Sequence, residues 1–208
     1  MWNENRNDPL AAGTSVKLES PLVGAQDLLK VNAALQSKAF RLYERPFLEL
    51  VNLRGDPRDE AFMAAVQAAL GTRVPVAPNT VARGTECDVL WLGPDEWLVR
   101  SSEARATQLE AKLAAAVAGM FACAVDVGSG YTVLEASGDK VRDVLARGCP
   151  LDLHPAVLPL GRCVQSHYFK ASIVLMPTAD NTFEIVVRRS FADYFCRIML
   201  DAAAPLAD

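Results

Sequence analysis

The 208-residue chain has little histidine, no paired cysteine motif and no run of basic residues. Histidine occurs only as His154 and His167, so a general base, metal site or covalent flavin link that uses imidazole must use one of these. The five cysteines, Cys87, Cys123, Cys149, Cys163 and Cys196, are odd in number and scattered, without a C-x-x-C pair. That pattern speaks against a disulfide framework and for reduced, mostly buried thiols in a cytoplasmic protein. Lysine and arginine number 21 against 25 acids, a formal net charge of −4. Binding to a nucleic-acid backbone needs accumulated positive charge, so this class is excluded. No stretch approaches the roughly 18 consecutive apolar residues of a membrane span. The polar start, Met1 to Asp8, lacks the basic-then-apolar order of a secretion signal. Nucleotide and nucleophile loops are missing as well. Gly128-Ser129-Gly130 follows an apolar stretch, but Val133 stands where a dinucleotide loop needs its third glycine, and no G-x-S-x-G occurs. It reads as a tight turn between strands.

What is present is a globular balance: 51% hydrophobic and 22% charged residues, enough for one large domain or two small packed ones. The most distinctive stretch is Leu90 to Arg100. Two apolar strands flank Gly93-Pro94-Asp95-Glu96, where Pro94 presets the first corner of a turn. Trp91 and Trp97 face each other across it as a cross-strand aromatic pair, offering either a binding platform or core.

In chain order, residues 1–24 read as an irregular arm broken by Asp8-Pro9, Gly13, Ser20-Pro21 and Gly24. A short helix is expected over 26–36 and a strand over 39–43. Residues 47–53 alternate as a strand. Phe62, Ala65, Val66, Ala69 and Leu70 then place a helix over 58–70 with one apolar face, stopped by Gly71. A loop over 74–86, the hairpin, a helix over 102–117 and a strand over 121–127 complete a βαββαβ order. The outline recurs after residue 128, with strands at 131–136, 163–169, 173–176 and 183–187 and helices at 138–146 and 191–203. Trp97 to Ala104 and Ile185 to Ala192 both run strand, basic residue, serine, helix, with Ser102 and Ser190 as expected helix N-caps. The fold class is therefore α+β: two ferredoxin-like units packed as one body, with an arm over 1–24, a first unit over 25–127 and a second over 128–208.

Candidate chemistry is sparse. Cys149, His154, Cys163 and His167 do not match the usual spacings of a zinc finger or ribbon, so no metal is expected. Asp126 and Asp152 suit Asx turns. Arg188 and Arg189, before a helix, could hold an anion or serve as an interfacial basic pair. No self-sufficient active site emerges, which points to a subunit of something larger.

Several segments resemble one family. They are Pro46-Phe47, Asn52-Leu53-Arg54-Gly55-Asp56, Leu92-Gly93-Pro94-Asp95-Glu96-Trp97-Leu98, Val125-Asp126-Val127, Cys149-Pro150-Leu151-Asp152-Leu153-His154-Pro155 and Arg189-Ser190-Phe191-Ala192. Together, over about residues 40–203, they resemble the gamma subunit of heterotetrameric sarcosine oxidase. The resemblance implies the fold of the folate-binding aminomethyltransferases and assembly with alpha, beta and delta subunits. The complex oxidises sarcosine to glycine. Oxygen becomes hydrogen peroxide, and the methyl carbon leaves as formaldehyde or passes to tetrahydrofolate. It also implies that FAD, FMN, NAD and tetrahydrofolate sit in the large subunits and zinc with delta. The transferases carry a carboxylate beside the folate. The corresponding stretch here, Phe169 to Met176, has no acid, so transferase chemistry is not expected of this chain. Its expected role is non-catalytic. Two other readings stay open. One is a free-standing folate- or anion-binding protein using Trp91, Trp97 or Arg188. The other is the equivalent subunit of an oxidoreductase acting on another N-methyl amino acid.

Overall fold

A computed structural model describes residues 19–34, 38–104 and 108–206. Most of the expected arm, the end of the helix expected over 26–36, and residues 105–107 lie outside the described residues.

From residue 48 the first unit follows the expected order of strand, helix, hairpin, helix and strand. Strand β2 (Leu48–Arg54) leads through a turn into helix α2 (Glu60–Leu70). Asp59 caps that helix by accepting hydrogen bonds from the Ala61 and Phe62 N–H groups at 2.9 and 3.3 Å. Gly71 ends it at φ +68°, a left-handed conformation that glycine adopts without strain. Strands β3 (Val81–Arg83), β4 (Cys87–Gly93) and β5 (Glu96–Ala104) follow, then helix α3 (Leu109–Ala116) and strand β6 (Cys123–Asp126). Their sheet has the order β3-β4-β5-β2-β6, antiparallel throughout. Without the short β3, this is the strand order of a ferredoxin-like βαββαβ unit. β3 falls inside the stretch expected to be a loop.

The second sheet, β1-β7-β10-β9-β8, is built from β7 (Tyr131–Ser137), β8 (Val164–Tyr168), β9 (Ala171–Ala179) and β10 (Thr182–Arg188), with helices α4 (Val141–Ala146) and α5 (Ala192–Ala203). Its edge strand comes from elsewhere. β1 (Arg41–Arg45) pairs antiparallel with β7, Arg41 opposite Ser137 and Arg45 opposite Val133. Helix α1 (Gln26–Ala34) brings Leu29 into the same apolar cluster, beside Leu22, Ala25, Phe40 and Leu42. The sheets thus divide the chain differently from the expected boundary at 128: the turn over Val23–Ala25, α1 and β1 pack with the second unit. Strand formation is local, but the choice of sheet is a long-range pairing that no local pattern encodes.

The layers run helix, sheet, sheet, helix. Val51, Leu53, Val89, Trp97 and Val99 point from the first sheet toward α2 and α3. Leu134, Ala136, Leu175, Phe183 and Ile185 point from the second toward α1, α4 and α5. Alternate residues of the same strands meet between the sheets: Leu48, Leu50, Leu90 and Leu98 from one, Val133, Met176 and Val186 from the other. The central strands of both sheets are buried on both faces.

The expected serine caps do not form. β5 continues to Ala104, and the Ser102 N–H donates to the Glu86 carbonyl at 2.8 Å. Ser190 lies in a 3-10 turn, Arg189–Phe191, and no side chain caps α5. Helix α3 is capped from another strand. The Glu49 carboxylate accepts from the Gln108 and Leu109 N–H groups at 3.1 and 2.6 Å, placing a negative charge at the helix N-terminus.

Candidate functional site

Three features stand out: a buried charge network, a polar cleft and an apolar groove. The network lies between the sheets. Arg100 on β5 is 3% exposed, Asp88 on β4 is 5% exposed and Glu184 on β10 is 2% exposed. Arg100 Nη2 donates to Asp88 Oδ2 at 2.5 Å. Its Nε stands 3.2 Å from Glu184 Oε2, an ion pair in which neither atom makes a hydrogen bond. Arg45 on β1 pairs with the other oxygen of Glu184 and donates to the Ser102 carbonyl at 2.7 Å. Arg83 approaches Asp88 to 3.5 Å from a more exposed position. Buried charges are tolerated when paired, and here the Arg100–Glu184 pair crosses from one sheet to the other while the remaining pairs lie within a sheet.

A cleft of about 740 Å³ opens where β2 meets β1 and β7. Its volume suits a small molecule. Three of its carboxylates, however, are tied to the protein itself. Glu44 accepts from Ser20 Oγ at 2.5 Å and from Thr132 Oγ1 at 2.7 Å. Glu49 caps α3, as described. Asp126 accepts from the Gly128 N–H at 2.8 Å in an Asx turn. Glu19 and Glu110 line the cleft too, with Arg189 and the Glu184-paired Arg45 as its cations among the described lining residues. Five acids against two arginines make this a poor anion site.

The apolar groove, of about 860 Å³, lies at one end of the first sheet. Its walls are the turn from Arg54 to Arg58, the hairpin corner Pro94-Asp95 and the bend from Met120 to Cys123. Gly55 lets the first turn close over α2, since a Cβ there would come within 2.5 Å of the Phe62 ring. The charges on the rim pair among themselves. Arg54 reaches Asp95 at 3.0 Å and Glu96 at 3.4 Å, and Arg58 reaches Asp56 at 2.8 Å. The Arg58 guanidinium, with the Arg58 backbone N–H, lowers the Asp56 carboxyl to about 2. Phe121, on the groove wall, is fully exposed, and Val125 on the adjoining edge strand β6 is 51% exposed.

The residues singled out in the sequence separate. Trp91 and Trp97 are register partners across the hairpin. Trp97 is fully buried against Phe62, its Nε1 donating to the Pro75 carbonyl at 2.7 Å, so it cannot line a ligand pocket. Trp91 is half-buried on the same cluster. Arg188 lies over the Tyr131 ring at 5.4 Å, and Arg189 is on the cleft wall. His154 is exposed and its Nδ1 accepts from the Ala156 N–H, while His167 is exposed on β8. The buried Cys163 thiol donates to the Thr80 and Trp91 carbonyls, and burial pushes it up to about 11. Asp152 makes its expected Asx turn with the His154 N–H at 2.8 Å. The 128–130 segment is the expected turn, a single 3-10 turn between β6 and β7. Among the described residues, no three His, Cys, Asp or Glu side chains gather as a metal site.

Sequence reasoning missed the network and the groove. Glu184 did carry a signal, since it stands between Phe183 and Ile185, whereas Arg100 is followed by Ser101 and Ser102 as at the polar end of a strand. Phe121 was placed inside a strand, whereas β6 begins only at Cys123.

Residues 54–205 match the sarcosine oxidase, gamma subunit family. A sarcosine oxidase subunit gamma from an Arthrobacter species is 33% identical over 167 residues, covering 80% of this chain and 81% of that one. The same subunit from Corynebacterium sp. strain U-96 is 29% identical over 199 residues, 94% of each chain. In the solved heterotetrameric sarcosine oxidase of Corynebacterium sp. U-96, in complex with pyrrole 2-carboxylate, one chain superimposes with a TM-score of 0.82 at 28% identity. It covers 92% of this chain and 97% of that one. The glycine cleavage system aminomethyltransferase T of Bartonella henselae shares the fold, with a TM-score of 0.59 at 15% identity over 83% of this chain and 48% of that one.

Proposed function

The chain belongs to the sarcosine oxidase gamma subunit family, and on that premise we propose that it is the non-catalytic member of a four-subunit oxidase, holding alpha, beta and delta subunits in one assembly. The observation that carries the non-catalytic reading is the state of the cleft. Glu44, Glu49 and Asp126 each hold a loop, a helix end or a turn of the chain, so none of these three is left to move a proton to or from a substrate, and the cleft's other acids, Glu19 and Glu110, are exposed to solvent. The two exposed histidines lie outside that cleft. FAD, FMN, NAD and tetrahydrofolate are assigned to the large partners, and zinc to delta. Sarcosine is then oxidised to glycine there, with oxygen reduced to hydrogen peroxide and the methyl carbon released as formaldehyde or carried by tetrahydrofolate. The five free thiols support a cytoplasmic setting, and among the described residues no helix is long and apolar enough to cross a membrane.

The test is co-expression with the other three chains. A sarcosine-dependent, peroxide-producing complex that contains this chain in stoichiometric amount is expected. Substitutions of Glu44, His154 or His167 should leave kcat unchanged once the complex has formed. A fully active, stable oxidase assembled without this chain would refute the assembly role. A loss of turnover in an intact Glu44→Gln, His154→Ala or His167→Ala complex would refute the non-catalytic one.

A further inference from the structure

Resting on that subunit reading, we infer that the apolar groove at the end of the first sheet is the face on which another subunit of the oxidase seats, with Phe121 as the anchor. Monomeric proteins rarely leave a large aromatic side chain wholly in water next to a concave apolar surface. Phe121 is fully exposed, and the half-exposed Val125 continues its apolar surface along β6, the edge of the first sheet. The folded chain gains nothing from Phe121, because it belongs to none of the three apolar clusters.

The electrostatics state the partner's chemistry. All four charged residues on the groove are paired within the chain, Arg54 with Asp95 and Arg58 with Asp56. A partner therefore needs no charge of either sign. The complementary face is an aliphatic or aromatic one on a neighbouring subunit, receiving Phe121 and filling the groove. This rim also fixes register: pairs already closed cannot re-pair with a charged wrong surface without losing their own bonds.

Two measurements test this on the co-expressed complex, purified through a tag on another subunit. Phe121→Asp should weaken retention of this chain by roughly 30-fold or more, as for a central anchor residue. Phe121→Leu should retain it, and raising salt should have little effect on the wild-type association. The second measurement needs no variant. Cys123 lines the groove and is exposed, so its alkylation should be fast in the free chain and strongly slowed in the complex. If wild-type chain enters the complex but Phe121→Asp enters equally well and Cys123 stays as reactive as in the free chain, the groove is not the seat, and the subunit role stands. If wild-type chain never enters, the subunit role itself falls. If Phe121→Asp abolishes a dimer of this chain while leaving the mixed complex intact, the patch serves a second copy and the inference is overturned.

Discussion

Arg100 is the sharpest point at which to perturb this molecule. It is the one cation of the inter-sheet network that is almost wholly buried, and it contacts both buried carboxylates, Asp88 at 2.5 Å and Glu184 at 3.2 Å. Arg100→Met keeps much of the side-chain volume and removes the charge. Breaking a buried ion pair by deleting one partner costs about 3–5 kcal/mol, because a charge is left without compensation. Here both carboxylates keep a second arginine. Arg83 stands 3.5 Å from Asp88, and Arg45 bonds Glu184. These residual partners put the cost near the lower end, ~3 kcal/mol. For a chain of this size that corresponds to a fall in Tm of roughly 6–12 °C. Urea unfolding of the purified chain, followed by circular dichroism, measures the loss directly, with the m-value reporting whether the folded state stayed compact. The triple variant Arg100→Met, Asp88→Leu, Glu184→Leu separates charge from packing. It removes the buried charges together and leaves Arg45 and Arg83, which are partly exposed and can turn to water. It should recover most of the loss, since replacing a buried network by apolar groups is often neutral. A single variant within 1 kcal/mol of wild type, by the scale above, would refute the reasoning, as would a triple variant no better than the single.

Trp97→Ala removes a fully buried indole that fills the space against Phe62 and donates to the Pro75 carbonyl, and should cost roughly 3–5 kcal/mol in the same unfolding assay. Glu49→Ala strips the carboxylate from the first N–H groups of α3 and should cost about 1 kcal/mol, with faster amide exchange confined to that helix end. Burial, with the bond to Glu135 adding to it, pushes the Tyr43 phenol up to about 12. A raised folded pKa gives stability that is fully present below the ordinary value near 10 and is lost as pH rises toward 12. Unfolding free energy should therefore fall across that window, and Tyr43→Phe should flatten the fall.

How much of this was legible in the sequence depended on whether the information was local. Helix α2 was readable to within two residues of its start, because the spacing of Phe62, Val66 and Leu70, and the stop at Gly71, are signals within one short stretch. The hairpin was readable for the same reason, down to Trp91 facing Trp97. Ser102 misled because its capping signature is local while the competing bond is not. Pairing of Leu48 with Ala104 carries β5 past it. The sheet to which β1 belongs, and the meeting of Arg45 with Glu184 across 139 residues, were invisible for the same cause. Strands buried on both faces lose the apolar–polar alternation that tells inside from outside. Arg100 and Glu184 could therefore pass for the solvent face of their strands when they are its most buried charges.

That double burial also limits where a partner can bind. With helices on both outer faces and the two inner faces pressed together, the sheets have only their ends and edges to offer. One opening, the cleft at β2, β1 and β7, is lined by five acids, three of which hold the chain's own backbone and side chains. The family-like segments divide along the same line. Cys149 and Leu153 of one are buried in the second unit's core, where the Leu153 carbonyl accepts from Arg142 Nε at 3.0 Å. Arg54, Gly55, Asp56, Pro94 and Asp95 of two others come together around the groove beside Phe121, while Pro46, Phe47, Asp126 and Arg189 of the remaining three line the cleft. A core position needs no partner to explain its residue. A self-paired rim around an apolar groove, with an aromatic ring held in water beside it, does.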